Sequence, residues 1–472
     1  MNQQDKPNES AKRGAPMPRV FISAAHKSSG KTTLTLGLCA AFHARGHVVQ
    51  PFKKGPDYID PLWLGMAAQR ACYNLDFHMM QRGEIEQRFA HAASNARISL
   101  IEGNKGLYDG LDLDGSNSNA ALAKLLGAPV VLVIDARGMT RGVAPLILGY
   151  QAFDPDIRIA GVILNNLGGS RHESKLRAVI EHYTDVEVVG AVQHDASLQI
   201  AERHLGLVPA NEQDAARARI QHVGERVAAQ VDLDRLLQIA DTAPDLEITL
   251  PCHAVPTVER IRIGIAHDQA FGFYYSEDID SLRAANVELV EIDTLHAHTL
   301  PAVDGLIVGG GFPEMFMAEL EANSGLRMQI RSAIEGGLPA YAECGGLMYL
   351  SRSLSWQGQT CQMVGVVPGD TVMHDRPIGR GYARLQPTGN DCWRETAPIP
   401  AHEFHYSSLE NLPADSIYAY QVLRGHGIDG QHDGYQVHNL LAGYVHRRGT
   451  GAQGWIAPFL KQVRAHKART AN

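Results

Sequence analysis

The chain has 472 residues, of which 44% are hydrophobic and 20% charged, proportions that fit two or three folded domains of roughly 150 residues and exclude overall disorder. Its 43 Lys and Arg against 51 Asp and Glu leave a net charge of -8, which argues against a broad nucleic-acid-binding surface; an anionic substrate would need a local basic patch. The six cysteines, at 39, 72, 252, 344, 361 and 392, form no CxxC pair, so neither a zinc ribbon nor a disulfide framework is indicated and a reducing cytoplasm is the expected setting.

Residues 1–18 are polar and lack the apolar centre of a signal peptide, and read as a disordered leader. No later apolar run approaches the ~18 residues of a membrane helix, so no membrane partner is expected. Residues 19–24 read as a short buried strand and 32–44 as a helix. Further apolar, β-branched runs at 47–52, 98–101, 129–135 and 158–165 alternate with helical segments, the pattern of a parallel sheet covered on both faces. From 241 to 260 the periodicity fails and Pro244, Pro251 and Pro256 mark a linker. A second α/β alternation begins at 261–266 and continues at 287–292, 304–309 and 338–344; after 360 the chain reads as short strands and loops. The expected organisation is a leader (1–18), a first α/β domain (19–240), a linker (241–260), a second α/β domain (261–460) and a tail (461–472).

Two of these junctions carry chemistry. The strand 19–24 runs through Ala25-His-Lys-Ser-Ser-Gly-Lys-Thr32 into a helix, a Walker A phosphate loop with Ala25 at the usual first glycine. Backbone N–H groups around Ser28, Ser29, Gly30 and Thr33 would cradle phosphates, Lys31 would neutralise them, and Thr32 would ligate Mg²⁺. Glu102 follows one strand, and Asp57 and Asp60 follow another, where an open α/β sheet places ligand-binding groups. An ordinary turn and solvated loop acids would explain each feature alone; the strand–loop–helix context and the three acids together favour an ATP–Mg²⁺ site.

In the second domain, Tyr341-Ala-Glu-Cys-Gly-Gly346 ends a strand and opens a helix, so Cys344 sits on a sharp elbow where Gly345 and Gly346 give room and a helix N-terminus favours a thiolate. The glycines at 309–311, Gly310 and Gly311 among them, are candidate oxyanion-hole donors together with Gly345. A buried structural cysteine is the alternative, and none of the other cysteines has such surroundings. His402, His405, His426, His432, His438 and His446 are candidate bases, and spacing alone does not choose among them. The pair His402-Glu-Phe-His405 is spaced i,i+3 with no third ligand, which does not suit zinc.

The ordered run AxxSSGKTT, FKKGPDYIDP, NLDFHMM, IEGNKGLYDG, GVILNN, ERHLGLVPA, GGGFPE, AECGGLMYL and HEFHYS resembles the cobyrinate a,c-diamide synthases over residues 19 to about 450. The resemblance implies a P-loop domain similar to dethiobiotin synthetase fused to a class I glutamine amidotransferase domain. It implies that glutamine is hydrolysed at a thiol, that ATP activates an acetate carboxylate of a tetrapyrrole as an acyl phosphate, and that ammonia displaces the phosphate. By motif, Thr32, Asp57 and Glu102 would hold Mg²⁺, Lys53, Tyr58, Asp60 and Asp109 would face the substrate acid, and Asn165 would read adenine. The family histidine follows Ala442-Gly-Tyr-Val, which is His446. Arg448 stands where most class I amidotransferases have an orienting Glu, so a Cys344–His446 dyad without a third acid is expected.

Past His446 the usual His-x-His-Phe-like strand is replaced by Arg-Arg-Gly-Thr-Gly. Together with the AAHKSSGKTT loop and the doubled Lys53-Lys54, this looks more like a branch found beside dissimilatory sulfite reductase and thought to amidate sirohaem. Cobyrinate or hydrogenobyrinate, sirohaem, and Ni-sirohydrochlorin all remain open as the tetrapyrrole. The expected partners are glutamine and that polycarboxylate, with a homodimer as the assembly to test. A partitioning-type P-loop switch is a different class; it would carry a signature Lys where this chain has His26, and it has no use for a fused cysteine elbow.

Overall fold

A computed structural model describes residues 16–198, 202–203, 206–210, 216–246, 248, 258–390 and 392–470. Most of the expected leader and the middle of the expected linker, with Cys252, lie outside these residues. The described residues fall into two compact units. The first takes those within Met1–Leu75, Arg82–Ala201 and Arg217–Cys252, and the second those within Asp76–Gln81, Glu202–Ala216 and His253–Asn472. Two short pieces of the first half of the chain thus pack with the second unit. In one of them the Tyr382 hydroxyl donates to the Asp76 carboxylate and His78 Nε2 lies 3.0 Å from the Ala383 carbonyl oxygen.

In the first unit seven strands form one sheet in the order Tyr73–Leu75, Val49–Lys54, Ile98–Glu102, Arg19–Ala24, Val130–Asp135, Ile159–Leu167, Val188–Gln193. Every neighbouring pair is parallel. The four strands nearest the middle of the sheet bury every residue, as a sheet covered by helices on both faces requires. The two outermost strands, Tyr73–Leu75 and Val188–Gln193, were not anticipated from the sequence. From Arg19–Ala24 the chain moves to one side of the sheet and later returns to the other, so the switch point lies at the carboxyl end of that first strand, where ligand crevices form in such sheets.

The second unit is built on a ten-stranded sheet. Five strands are parallel, in the order Val287–Ile292, Ile261–Ala266, Gly305–Val308, Ala340–Glu343, Leu440–Gly443. Five more continue antiparallel: His432–Val437, Ile417–Arg424, Gly379–Pro387, Ile399–His405 and His446–Arg447. Successive strand residues serve opposite faces, as the pleat dictates. Leu306, Val308, Ala340 and Ala342 enter one core with Phe271, Ile330 and Tyr349, whereas Ile307 and Tyr341 enter the other with Ile263, Phe459 and Val463. The expected tail does not begin at 461. The last helix runs Ile456–Thr470, and Val463 is fully buried in the second core, so hydrophobic periodicity carries the fold past the last recognisable motif. Among the described residues no helix is long and apolar enough to cross a membrane.

Candidate functional site

The phosphate loop has the geometry its residues require. The strand Arg19–Ala24 ends before it and the helix Lys31–Ala44 begins after it. Gly30 has φ 86°, and a Cβ there would stand 2.2 Å from Asn165 Nδ2, so both the backbone angle and the space demand glycine. Ser28 also takes a positive φ of 64°. The Ser29 hydroxyl donates to the His26 carbonyl at 2.8 Å, and Asn165 Nδ2 donates to the Ser29 carbonyl at 2.9 Å. The Asn165 amide nitrogen therefore braces the loop itself, a use the expectation of adenine reading had not assigned to it.

Behind the loop lies a buried cluster of charge. The Thr32 hydroxyl donates to Glu102 Oε1 at 2.6 Å and lies 3.3 Å from Asp60 Oδ2. Lys53 Nζ donates to Asp60 Oδ2 at 2.5 Å and to Glu102 Oε1 at 2.9 Å, and stands 3.7 Å from Asp57 Oδ2. Burial alone would lower the Lys53 ammonium, but Asp60 and Glu102 raise it well above the usual lysine range. Lys31 is also buried; desolvation draws it down to about 8, against the pull of Glu102. The loop lysine thus stands as a weakly solvated cation.

Two acids make contacts other than those expected of them. Asp60, assigned to the substrate, reaches Thr32. Asp57, assigned to the metal, accepts from the backbone N–H groups of Ile59 and Asp60 at 2.9 and 3.1 Å and so shapes the start of the helix Ile59–Ala68. Lys53, expected beside the substrate acid, is ion-paired inside the cluster. Tyr58 is buried at the same helix start. Asp109 Oδ2 accepts from the Gly106 N–H at 2.9 Å and adds its charge to the field at Lys31.

Among the described residues no three His, Cys, Asp or Glu side chains form a metal cage. A nucleotide-bound Mg²⁺ asks for less, since water and phosphate oxygens complete its octahedron. Glu102 Oε2 is buried with no hydrogen-bond partner, beside the Thr32 hydroxyl. That orphaned oxygen fits a hard cation, with Thr32 and Glu102 as the protein ligands and Asp60 close by.

In the second unit Cys344 has φ 50° and ψ -107°, between the strand Ala340–Glu343 and the helix Gly345–Leu350. A non-glycine residue at such an angle is strained by the order of 1–3 kcal/mol and is held there by its surroundings. The Cys344 N–H donates to the Gly443 carbonyl at 2.8 Å. A Cβ on Gly346 would come 2.0 Å from the Val308 carbonyl oxygen, and one on Gly345 would meet the Gly311 backbone at 3.0 Å. The glycine run 309–311 therefore lies against the elbow. A Cβ on Gly310 would sit 2.7 Å from His446 Cε1, which puts the same run against the imidazole.

His446 is buried on the two-residue strand His446–Arg447, paired with His402 across the antiparallel ladder. Its ring stacks on that of His402, with centroids 4.9 Å apart and planes at 16°. Burial would lower the imidazole, yet the hydrogen-bonded Cys344 and Glu343 lift it to about 10. His432, by contrast, is half-exposed and paired to Asp429 at 2.9 Å, and His438 occupies a turn with φ 52°.

The dyad expectation fails on geometry. Glu343 Oε2 lies 3.3 Å from His446 Nδ1 in the buried interior. This carboxylate belongs to the residue immediately before Cys344, not to the position two places after the histidine, where Arg448 instead pairs with Glu277 at 2.9 Å. Sequence reasoning missed Glu343 although it stood in the quoted AECGG motif. The available signal was a carboxylate on an otherwise apolar buried strand.

The CobB/CobQ-like glutamine amidotransferase domain family matches residues 262–450, and the AAA domain family matches residues 18–202. A cobyrinate a,c-diamide synthase of Magnetococcus marinus is 48% identical, covering 94% of this chain and 96% of that protein. One from Methanosarcina acetivorans is 44% identical, covering 92% and 93%, and one from Archaeoglobus fulgidus is 40% identical, covering 91% and 94%.

Proposed function

Since this chain belongs to the cobyrinate a,c-diamide synthase family and is a glutamine-dependent amide ligase, we infer that it amidates the a and c acetate groups of a cobyrinate-type tetrapyrrole at the expense of ATP. The observation that carries this reading is the pairing of a strained cysteine elbow in one unit with a phosphate loop backed by buried charge in the other.

In the amidotransferase unit the Cys344 sulfur attacks the glutamine side-chain carbonyl after its proton passes to His446. Backbone N–H groups of the glycines around the elbow, Gly310, Gly311 and Gly345, are the proposed donors to the developing oxyanion. His446 returns the proton to the departing ammonia, and water releases glutamate. In the P-loop unit a substrate carboxylate oxygen attacks the γ-phosphorus of ATP and ADP leaves. Ammonia then attacks the acyl carbon, loses a proton, and inorganic phosphate departs with the C–O bond. A carboxylate is a poor electrophile, and phosphorylation supplies its leaving group. Mg²⁺, when bound, would neutralise charge on the transferring phosphoryl group. Lys31 and the loop N–H groups would hold the phosphates, Thr32 and Glu102 would hold the cation, and Lys53, itself paired to Asp60, holds Glu102 in place. Tyr58 and Asp109 are the residues proposed to face the substrate acid.

Sirohaem shares the acetate-bearing edge and is the second macrocycle to test, on the strength of the loop and of the Arg447-Arg-Gly run. The protein incubated with ATP, Mg²⁺ and glutamine converts cobyrinate to a product about two mass units lighter, one unit for each OH replaced by NH₂. Conversion of sirohaem alone reassigns the substrate; turnover of neither, with ATP hydrolysed regardless, overturns the ligase reading on tetrapyrroles. Sedimentation of the same protein decides whether it is a homodimer.

The base assignment has its own test. His446→Ala loses on the order of 10²-fold or more in glutamate release, the usual contribution of general acid–base catalysis, whereas His432→Ala and His438→Ala stay near wild type. Near-normal release by His446→Ala, with loss in either of the others, moves the base elsewhere.

A further inference from the structure

Resting on the reading of Cys344 and His446 as thiol and base, we propose that Glu343 is the positioning carboxylate of the glutaminase centre, replacing the acid that Arg448 displaced. Glu343 ends the strand Ala340–Glu343 and is buried. One of its oxygens is fully committed: Oε1 accepts from the Arg447 N–H at 2.9 Å and from the Tyr341 hydroxyl. These two donors fix the carboxylate and turn Oε2 onto His446 Nδ1 at 3.3 Å. A carboxylate taken out of water is retained only where such bonds replace its hydration.

The arrangement does what an orienting acid must do. An acceptor on Nδ1 selects the tautomer whose proton sits there and leaves the opposite ring nitrogen to take the thiol proton. When that proton arrives, the negative charge of Glu343 stabilises the imidazolium. Among the described residues, His402 and the groups around Glu343 do not supply a substitute. His402 stacks on the ring face and is held neutral by burial, and then by the charge of His446, with His78 beyond it and the Tyr275 hydroxyl 3.2 Å from its Nδ1. Around the carboxylate itself stand Tyr341, Arg447, Tyr274 and Asp278; the first three are not carboxylates, and Asp278 is spent on the Gly449 N–H at 2.9 Å. The acid is supplied by a neighbouring strand because parallel pairing sets Glu343 opposite Gly443, three residues before the histidine.

The test is glutamate release against pH for wild type, Glu343→Gln and Glu343→Asp, with ammonia-dependent amidation as the folding control. Glu343→Gln loses roughly 10²-fold, and its alkaline limb moves down by about one pH unit or more, because an amide stabilises imidazolium less than a carboxylate does. Glu343→Asp restores the position of the limb and part of the rate. A Glu343→Gln protein with the wild-type alkaline limb overturns the assignment, whatever its rate, since a purely structural acid would not move it. A second measurement needs no Glu343 variant. In ¹⁵N-histidine-labelled wild type the Nδ1 proton of His446, identified by its loss in His446→Gln, resonates far downfield as a carboxylate-bonded imidazolium; its absence overturns the proposal. If the wild type shows no Cys344-dependent glutamate release, the amidotransferase reading itself falls, an outcome separate from either of these.

Discussion

Cys344→Ala is expected to lower glutamine-dependent amidation by roughly 10³-fold or more while amidation from free ammonia stays near its wild-type rate. In the proposed reaction the thiol is the atom that bonds the glutamine carbonyl, with His446 as the base and the glycines offering only N–H groups. The substitution itself is mild. It removes one sulfur from a residue only 7% exposed and leaves the backbone bonds to Gly443 and Met348 in place. The strain of φ 50° persists with alanine, so the elbow loses little by the exchange. The phosphate loop belongs to the other compact unit, so ATP-dependent activation of the acid continues and ammonium salts rescue synthesis. The measurement is amide product with glutamine and with ammonium chloride as parallel nitrogen sources. Equal loss with both, in a variant of wild-type melting temperature, defeats the assignment of the two half-reactions to separate sites.

The second large effect is expected from Glu102→Gln, which loses on the order of 10²-fold or more in synthesis from either nitrogen source and leaves alkylation of Cys344 unchanged. Glu102 is not a solvated loop acid. It is fully buried, takes the Thr32 hydroxyl at 2.6 Å and Lys53 at 2.9 Å, and keeps one oxygen without a partner. A neutral amide retains the shape but ligates a hard cation poorly, and it leaves Lys53 with less opposing charge. Asp57→Asn provides the contrast. The Asp57 oxygen serves backbone N–H groups at a helix start, a duty an asparagine oxygen also performs, so its loss of synthesis is smaller. ATP turnover at the wild-type rate in Glu102→Gln shows the acid to be structural; a larger loss in Asp57→Asn than in Glu102→Gln restores Asp57 as the cation ligand.

The amino-acid sequence alone determined the features that depend on local backbone. Strand, tight loop and helix at residues 19–44, and strand, elbow and helix at 340–350, are each written in a few consecutive residues, because a positive φ or a close approach admits only glycine at Gly30 and Gly346. Apolar runs long enough to be buried on both faces marked the inner strands of the first sheet. The edge strand Tyr73–Leu75 escaped because three residues carry no period, and the helix Ile456–Thr470 was not anticipated, so that the expected boundary at 460 falls inside it, because a run of mixed polarity hides one buried stripe through Phe459 and Val463.

Only the tertiary structure decided which acids meet which groups. Spacing placed Asp57, Asp60 and Glu102 together without ranking them. The turn into the helix Ile59–Ala68 aims Asp57 at its own backbone and Asp60 at Thr32. Asn165 and Ser29 are 136 positions apart, and only the parallel sheet brings one amide onto the other residue's carbonyl. For the same reason Glu343 was invisible as a partner of His446. A carboxylate 103 positions from an imidazole has no sequence spacing to recognise. Strand pairing between Ala340–Glu343 and Leu440–Gly443 closes that distance, and two hydrogen bonds to one carboxylate oxygen then turn the other onto the base.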